Sequence, residues 1–407
     1  MRLFKTNNVK NHWSVLLVFF SFSAAAQWGC TDPFAANFDP TAQSNDGSCL
    51  YDSTTITLSE LALLPTQLAE NSGLFIHNDT LWTHNDSGGQ PILYAIDTLG
   101  QILRQVVVAN ASNIDWEAVT TASSFGYIGD IGNNSGTRQN LRIYRFSLTD
   151  LLADTVYVDT ISYTYSNQTS FVANALTNFD AEAFFVVNDT VHLFSKNWGN
   201  QFTNHYVFPA QVGHQTAQII DSFFVDGLVT DVAFHPFTKR IVLLGYKEIA
   251  PSFYSSFVWV LSDYNASFFS GNKRKIAIGN MLQVGQTEGI TFLNHEELMV
   301  TAEQIQAGFL SIPPRLFRLN LSSIFQETAD IPQNSIKINV FPNPTSHMIR
   351  VDNLLKSTSY QLIDATGKLL AQGELSAEHA VIFLDKQFVG SCFLQLANGG
   401  IFKIVVE

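Results

Sequence analysis

Short apolar runs, each ended by a turn, recur along most of this chain. Between residues 53 and 330 one phrase repeats: an acidic or small polar residue, a short apolar strand, a turn and a second apolar strand. It reads Ser72-Gly73-Leu74-Phe75-Ile76, then Leu81-Trp82-Thr83-His84-Asn85-Asp86. It returns as Asp115-Trp116-Glu117-Ala118-Val119 with Tyr127-Ile128-Gly129-Asp130, and as Asp180-Ala181-Glu182-Ala183-Phe184 with His192-Leu193-Phe194-Ser195-Lys196. The fourth copy is Thr230-Asp231-Val232-Ala233-Phe234 with Leu243-Leu244-Gly245-Tyr246. The fifth is Thr287-Glu288-Gly289-Ile290 with Val300-Thr301-Ala302-Glu303. Further strand-like runs follow the pairs, such as Leu141 to Phe146 and Val156 to Tyr165.

Repeats of roughly 40–65 residues with about four short strands each are the pattern of β-propeller blades. One blade cannot bury both of its faces alone, whereas blades stacked about an axis hide them and leave only short edges. The five copies predict an all-β fold with a five-bladed β-propeller over residues 53–330, or a six-bladed one if a degenerate copy is present. A β-sandwich and an open β-solenoid are the competing arrangements. The early run Thr54 to Leu58 has no blade of its own and is expected to complete the last blade, closing the ring. Beyond Ile331-Pro332-Gln333-Asn334-Ser335 the pattern changes to a separate strand-rich tail, residues 331–407, that reads as a small C-terminal β-sandwich.

Composition narrows the partners. Hydrophobic residues make up 46% of the 407 and charged residues 14%, which suits strands buried on both faces better than charged surface helices. A net charge of −13 argues against a nucleic-acid partner, because phosphate backbones attract basic surfaces. It fits a solubilising surface, or carboxylates gathered for a divalent cation. At the N-terminus Arg2, Lys5 and Lys10 precede an apolar run from Val15 to Phe22 and the small-residue site Ala24-Ala25-Ala26-Gln27. This predicts a signal peptide over residues 1–26, its run too short to span a membrane, and hence a secreted or cell-surface protein. In an oxidising compartment Cys30 and Cys49, bracketing an Asp/Asn-rich loop over residues 27–52, are expected to form a disulfide. Cys392 is then an inert buried thiol.

Three resemblances add to this. Gly29-Cys30-Thr31-Asp32-Pro33-Phe34-Ala35-Ala36-Asn37-Phe38-Asp39-Pro40, ending Asp46-Gly47-Ser48-Cys49, resembles a calcium-binding, thrombospondin-type-3-like module of secreted Bacteroidetes proteins. Asp32, Asn37, Asp39 and Asp46 would be its oxygen donors for calcium; Asx turns without metal are the alternative use of the same residues. The tail resembles the type A sorting domain of the type IX secretion system. The residues that carry this are Val340-Phe341-Pro342-Asn343-Pro344, Leu362-Ile363-Asp364-Ala365-Thr366-Gly367-Lys368, Val389-Gly390-Ser391-Cys392-Phe393 and Phe402-Lys403-Ile404-Val405-Val406. The resemblance implies recognition by the outer-membrane translocon as a partner. The propeller is similar to esterase-like phytase and SdiA-regulated propellers through Asn85-Asp86-Ser87-Gly88, Asp115-Trp116-Glu117-Ala118, Gly129-Asp130-Ile131-Gly132-Asn133-Asn134, Arg138, Asp180-Ala181-Glu182-Ala183 and Glu288-Gly289-Ile290. Where that pattern has an Asp, this chain has Asn133.

The innermost strand of each blade lines the central channel, so acids near its start should meet at one mouth. Glu117, Glu182 and Glu288, with Asp115, Asp180 and Asp231, are the expected ligands of a divalent cation there. An all-oxygen set suits Ca2+ over zinc. Asp86, Asp130, Asn134, Arg138, Lys196, Tyr246 and Glu303 are further channel-lining candidates. Two functions fit: a non-catalytic propeller binding a small molecule, glycan or protein, or a metal-dependent hydrolase of phosphoester, ester or lactone substrates with Asp130 or Glu303 as base. No His cluster with metal spacing and no Gly-x-Ser-x-Gly elbow supports the second.

Overall fold

The computed structural model describes residues 27–325 and 339–407, apart from positions 266, 309, 353–357, 365–367, 377–379, 385–387 and 398–400. The expected signal peptide and the Ile331–Ser335 entry to the tail lie outside these residues.

Five four-stranded antiparallel units follow one another. The first runs Asn71–His77, Thr80–Asn85, Ile92–Ile96 and Ile102–Ala109; the second Trp116–Ala122, Phe125–Asp130, Arg142–Ser147 and Asp159–Tyr165. The third runs Ala181–Val187, Thr190–Ser195, Phe202–Pro209 and Gly213–Phe224; the fourth Leu228–Phe234, Ile241–Ala250, Phe253–Ser262 and Asn272–Asn280. The fifth comprises Gln286–Phe292, Glu297–Glu303 and Arg315–Asn320, with Ser59–Leu63 as its outer strand. The first strand of each unit adjoins the first strand of the next, and that of the fifth adjoins that of the first, so the ring closes as a β-propeller. Closure differs in detail from the expectation for residues 54–58. Thr54–Thr55 pairs in parallel with the outer strand of the fourth unit, and Ser59–Leu63 pairs antiparallel with Arg315–Asn320. One N-terminal segment thus ties the fourth unit to the fifth.

The strands read as continuous apolar runs because both faces are buried, and period-2 alternation sends neighbouring side chains to opposite interfaces. Phe184 packs between the second and third units, while Phe185 packs between the third and fourth. Leu243 faces the third unit, while Val242 and Leu244 face the fifth. Met299 packs with Leu74 and Leu81 of the first unit, joining the ends of the ring.

Cys30 and Cys49 are disulfide-bonded, and their loop is docked on the fourth unit. Asn45 Nδ2 donates to Asp263 Oδ2 and Asn272 Oδ1, each at 2.8 Å, and Lys273 Nζ donates to Gly47 O at 3.3 Å. In the tail, a three-stranded and a four-stranded sheet share one core containing Ile349 and Ile382 from the first and Leu362, Leu394 and Ile404 from the second. Cys392 is a buried free thiol in that core. No helix among the described residues is long and apolar enough to cross a membrane.

Candidate functional site

Every inner strand carries a β-bulge at the same place, and the bulges build the site. In the second unit Ala118 opposes Gly129 and Trp116 opposes Asp130, leaving Glu117 as the extra residue. Glu182 is the extra residue of the third unit and Glu288 of the fifth. A bulge turns its residue out of the ladder and re-aims the side chain. Here it turns three glutamates toward the axis, where Glu117, Glu182 and Glu288 line one cavity of about 410 Å³. The extra residue of the fourth unit is Thr230, and the first unit has Gly73 and Leu74 opposite Thr83. Those two units bring other groups to the cavity: Tyr246 from within the fourth unit's second strand and Asp86 from just beyond that of the first. Asn134, Lys196, Trp198 and Gln286 complete the polar lining.

The charges are sorted into two halves. On one side Lys196 Nζ donates to Glu182 Oε1 at 2.5 Å, with both side chains buried, and sits 5.0 Å from the Trp198 ring and 5.1 Å from the Tyr246 ring. Burial opposes the ammonium, but Glu182, Tyr246 and Glu288 more than offset it, so Lys196 stays charged. Burial raises the pKa of Glu182 and Lys196 opposes the rise; we take the short contact as an ammonium–carboxylate pair. Glu288 accepts from Gln286 Nε2 at 2.7 Å, and burial raises its pKa as well.

On the other side are carboxylates with no cation beside them. Oxygens of Asp86, Asp115 and Glu117 lie within 4.8 Å of one another. Glu117 is 4% exposed and has no hydrogen-bond partner for its carboxyl group among the described residues. Burial first, then Glu182, Asp86 and Asp115, push its pKa well above the ordinary value. Burial also raises Asp86 to about 7, helped by Asp115 and Glu288, and raises Asp115 to about 6 against the pull of Arg138. A second group, Glu70, Asp86 and Glu303, has the same spread and shares Asp86. Glu303 is raised to about 9 by burial, Glu288, Asp86 and Glu70. Gly132 makes the first group fit, because a methyl there would collide with Glu117 Oε1 and Asp115 Oδ2.

Several expected ligands have other work. Asp180 accepts from Asn133 N at 2.6 Å and Trp198 Nε1 at 2.8 Å, joining the second unit to the third. Asp231 follows the bulged Thr230, and accepts from Val232 N at 2.8 Å and Ile290 N at 2.7 Å, joining the fourth unit to the fifth. Asp130, expected as a base, is fully buried and held by Arg138 at 2.7 Å and Arg142 at 3.6 Å. Arg138 is spent on Asp130 and Gly132 O rather than on the cavity. In the N-terminal loop Asp32 accepts from Phe34 N and Tyr51 OH, Asp39 from Thr41, and Asp46 from Ser48 N. Asn37 bridges Ser48 O and Leu50 N. These are the Asx turns of the alternative reading, and among the described residues this loop contributes no cluster of three Asp, Glu, His or Cys ligands.

The sequence reading missed Glu70, Trp198 and Gln286. Trp198 lies two residues beyond Lys196 and Gln286 two before Glu288, a spacing that places them beside charged residues already singled out. Glu70 had no such signal.

No family model matches the chain. Among curated proteins, ribulose bisphosphate carboxylase/oxygenase activase from Oryza sativa subsp. japonica is 83% identical over 23 residues, and that from Arabidopsis thaliana 71% over 24. Each match spans 6% of this chain and about 5% of the relative's length. Among solved structures, exo-β-1,3-galactanase from Phanerochaete chrysosporium is similar at 10% identity and TM-score 0.42, over 85% of this chain and 95% of that one. A putative glycosidase from Bacteroides thetaiotaomicron is similar at 7% identity and TM-score 0.35, over 66% and 93%.

Proposed function

We propose that this chain is an exported five-bladed β-propeller, followed by a small sorting β-sandwich, whose axial cavity binds a divalent cation, Ca2+, and presents it to a small polar ligand. The observation that carries the reading is the unpartnered, buried Glu117 carboxyl beside Asp86 and Asp115, over a glycine that leaves it room. Carboxylates this close cannot all ionise unless a cation sits between them; without one, some of them keep protons. Hard oxygen donors and backbone carbonyls are what Ca2+ takes. Lys196 supplies one fixed positive charge on the far side, and it is already matched by Glu182. The ligands argued here are Asp86, Asp115 and Glu117, with Glu70 and Glu303 flanking, instead of the glutamate trio together with Asp180 and Asp231.

Calorimetric titration of CaCl2 into the chelator-stripped full chain tests this. Saturable binding at one site is expected, with Glu117→Gln and Asp86→Asn each weakening it by about tenfold or more, roughly 1.4 kcal/mol. Gly132→Ala should do the same by filling the cradle. Equal binding by the wild type and both charge variants would sink the assignment.

A second reading, hydrolysis of an ester or lactone, is favoured by one observation. Glu303 flanks the Asp86, Asp115 and Glu117 cluster through Asp86 and would stand beside a bound cation's water as the carboxylate base. Phosphoesters fit poorly, since the cavity lining offers four carboxylates and one lysine. Chelator-sensitive turnover of an ester and lactone panel would establish this reading, and inertness of the calcium-loaded protein would dismiss it for those substrates.

A further inference from the structure

A second cavity, an open surface pocket of about 310 Å³ whose Asn167, Val172, Asn174 and Leu176 are exposed, lies beside the axial one and differs from it in chemistry. The two share a wall: Ala175 lines the axial cavity, while Asn174 and Leu176 on either side of it line the lateral one. That wall is pinned in place, with Asn174 N donating to Ser135 O at 2.9 Å and Trp198 N donating to Thr177 O at 3.0 Å.

Four asparagines line the lateral cavity, and no charged side chain does. Three of them have their amide oxygens committed to the protein. Asn167 Oδ1 accepts from Tyr206 OH at 3.2 Å, Asn174 Oδ1 from Leu176 N at 2.9 Å, and Asn178 Oδ1 from Gly199 N at 3.1 Å. These bonds orient each amide and leave three NH2 groups without a partner among the described residues. The fourth, Asn204, spends its NH2 on Tyr206 OH at 3.4 Å and leaves its oxygen open. Val172, Leu176 and Phe179 supply apolar surface next to these amides. The volume is at the small end of ligand sites, roughly 300–1,000 Å³.

Charge decides the ligand class. A cation would meet a cluster of donors. An anion would find no cationic side chain in the lining, and it would stand beside the acidic axial cavity of a protein with net charge −13. What remains is a neutral molecule with many oxygens and an apolar face. We propose that this lateral cavity is a binding subsite for one unit of a neutral carbohydrate, its hydroxyl and ring oxygens on Asn167, Asn174 and Asn178 and its C–H face on Leu176 and Phe179. The subsite goes beyond the cation site and works without it.

The test is calorimetric titration of the full chain with neutral hexasaccharides (gluco-, xylo-, manno- and galacto-configured), in EDTA and in CaCl2. At least one should bind with a Kd below about 1 mM in both buffers. Asn167→Asp and Asn178→Asp keep the oxygens that accept from Tyr206 and Gly199 but remove the free donors. Each should weaken binding by about tenfold with an unchanged melting temperature. Binding that vanishes in EDTA would move the sugar to the axial cavity and overturn the lateral site. So would undiminished binding by both Asp variants. No binding by any hexasaccharide at 10-fold that concentration, or binding confined to uronate or sulfated oligosaccharides, would overturn the ligand class. Loss of calcium binding alone, with sugar binding intact, would count against the cation site only and leave this one supported.

Discussion

Individual residues in the axial cavity are controlled by burial more than by pairing. Asp86, Asp115 and Glu303 are held at about 7, 6 and 9 in the folded protein, above their ordinary carboxylate values. The folded state therefore binds more protons than the unfolded chain between pH 4 and these values, and the stability they contribute is lost as pH rises through them. Histidines act in the opposite direction. Burial lowers His84 and His192 to about 4 and His205 to about 3, so their contribution is full above pH 6.5 and is lost as pH falls through those values. Above pH 7 only the carboxylates still titrate among these groups. In EDTA the melting temperature should accordingly drop by about 3–5 °C from pH 7 to 9. In CaCl2 the drop should largely vanish, because the cation takes the place of the protons. Parallel thermal melts in the two buffers would show it, and superimposable curves would refute it.

At the scale of single elements, the bulged inner strand is the recurrent device. It converts an alternating apolar strand into one that sends Glu117, Glu182 or Glu288 to the axis while its neighbours still bury on both faces. Residues at or beside the bulge then bond across to the next unit. Ser72 Oγ donates to Glu117 O at 2.6 Å, Thr230 Oγ1 to Thr287 O at 2.9 Å, and Asp231 accepts from Ile290 N. Both Asp231 oxygens thus accept from backbone amides, which makes the side chain a fastener between units. Asp231→Ala would leave two buried amides unpaired, each costing about 1–3 kcal/mol. Chemical denaturation should register that loss with calcium affinity unchanged. A fall in calcium affinity without loss of stability would reverse the assignment. The repeated acids were legible in the sequence, whereas their one-residue shift in the fourth unit was not. An aligned phrase puts Asp231 level with the glutamates, and only the ladder register reveals that Thr230 holds the bulge there.

Over the whole molecule, the N-terminal segment is a clasp. The disulfide loop docks on the fourth unit, Thr54–Thr55 extends that unit, and Ser59–Leu63 completes the fifth, so a ring of local hairpins is closed by a long-range contact. Such a closure joins the two ends of the ring and is expected to hold it against opening at one interface. The tail has its own two-sheet core. Removing residues 331–407 should retain the propeller in the periplasm, measured by cell fractionation; unchanged appearance outside the cell would remove the sorting proposal. Sequence alone determined the repeat, the all-β class, the disulfide partners and the three glutamates that face the axis, because each depends on local periodicity or on residue type. Tertiary structure decided which acids are bonded across units, which meet without a counter-charge, which strand closes the ring, and that an uncharged cavity lies beside the acidic one. Those outcomes depend on register and on groups from separate units meeting in space, and neither is written in the order of residues along one strand.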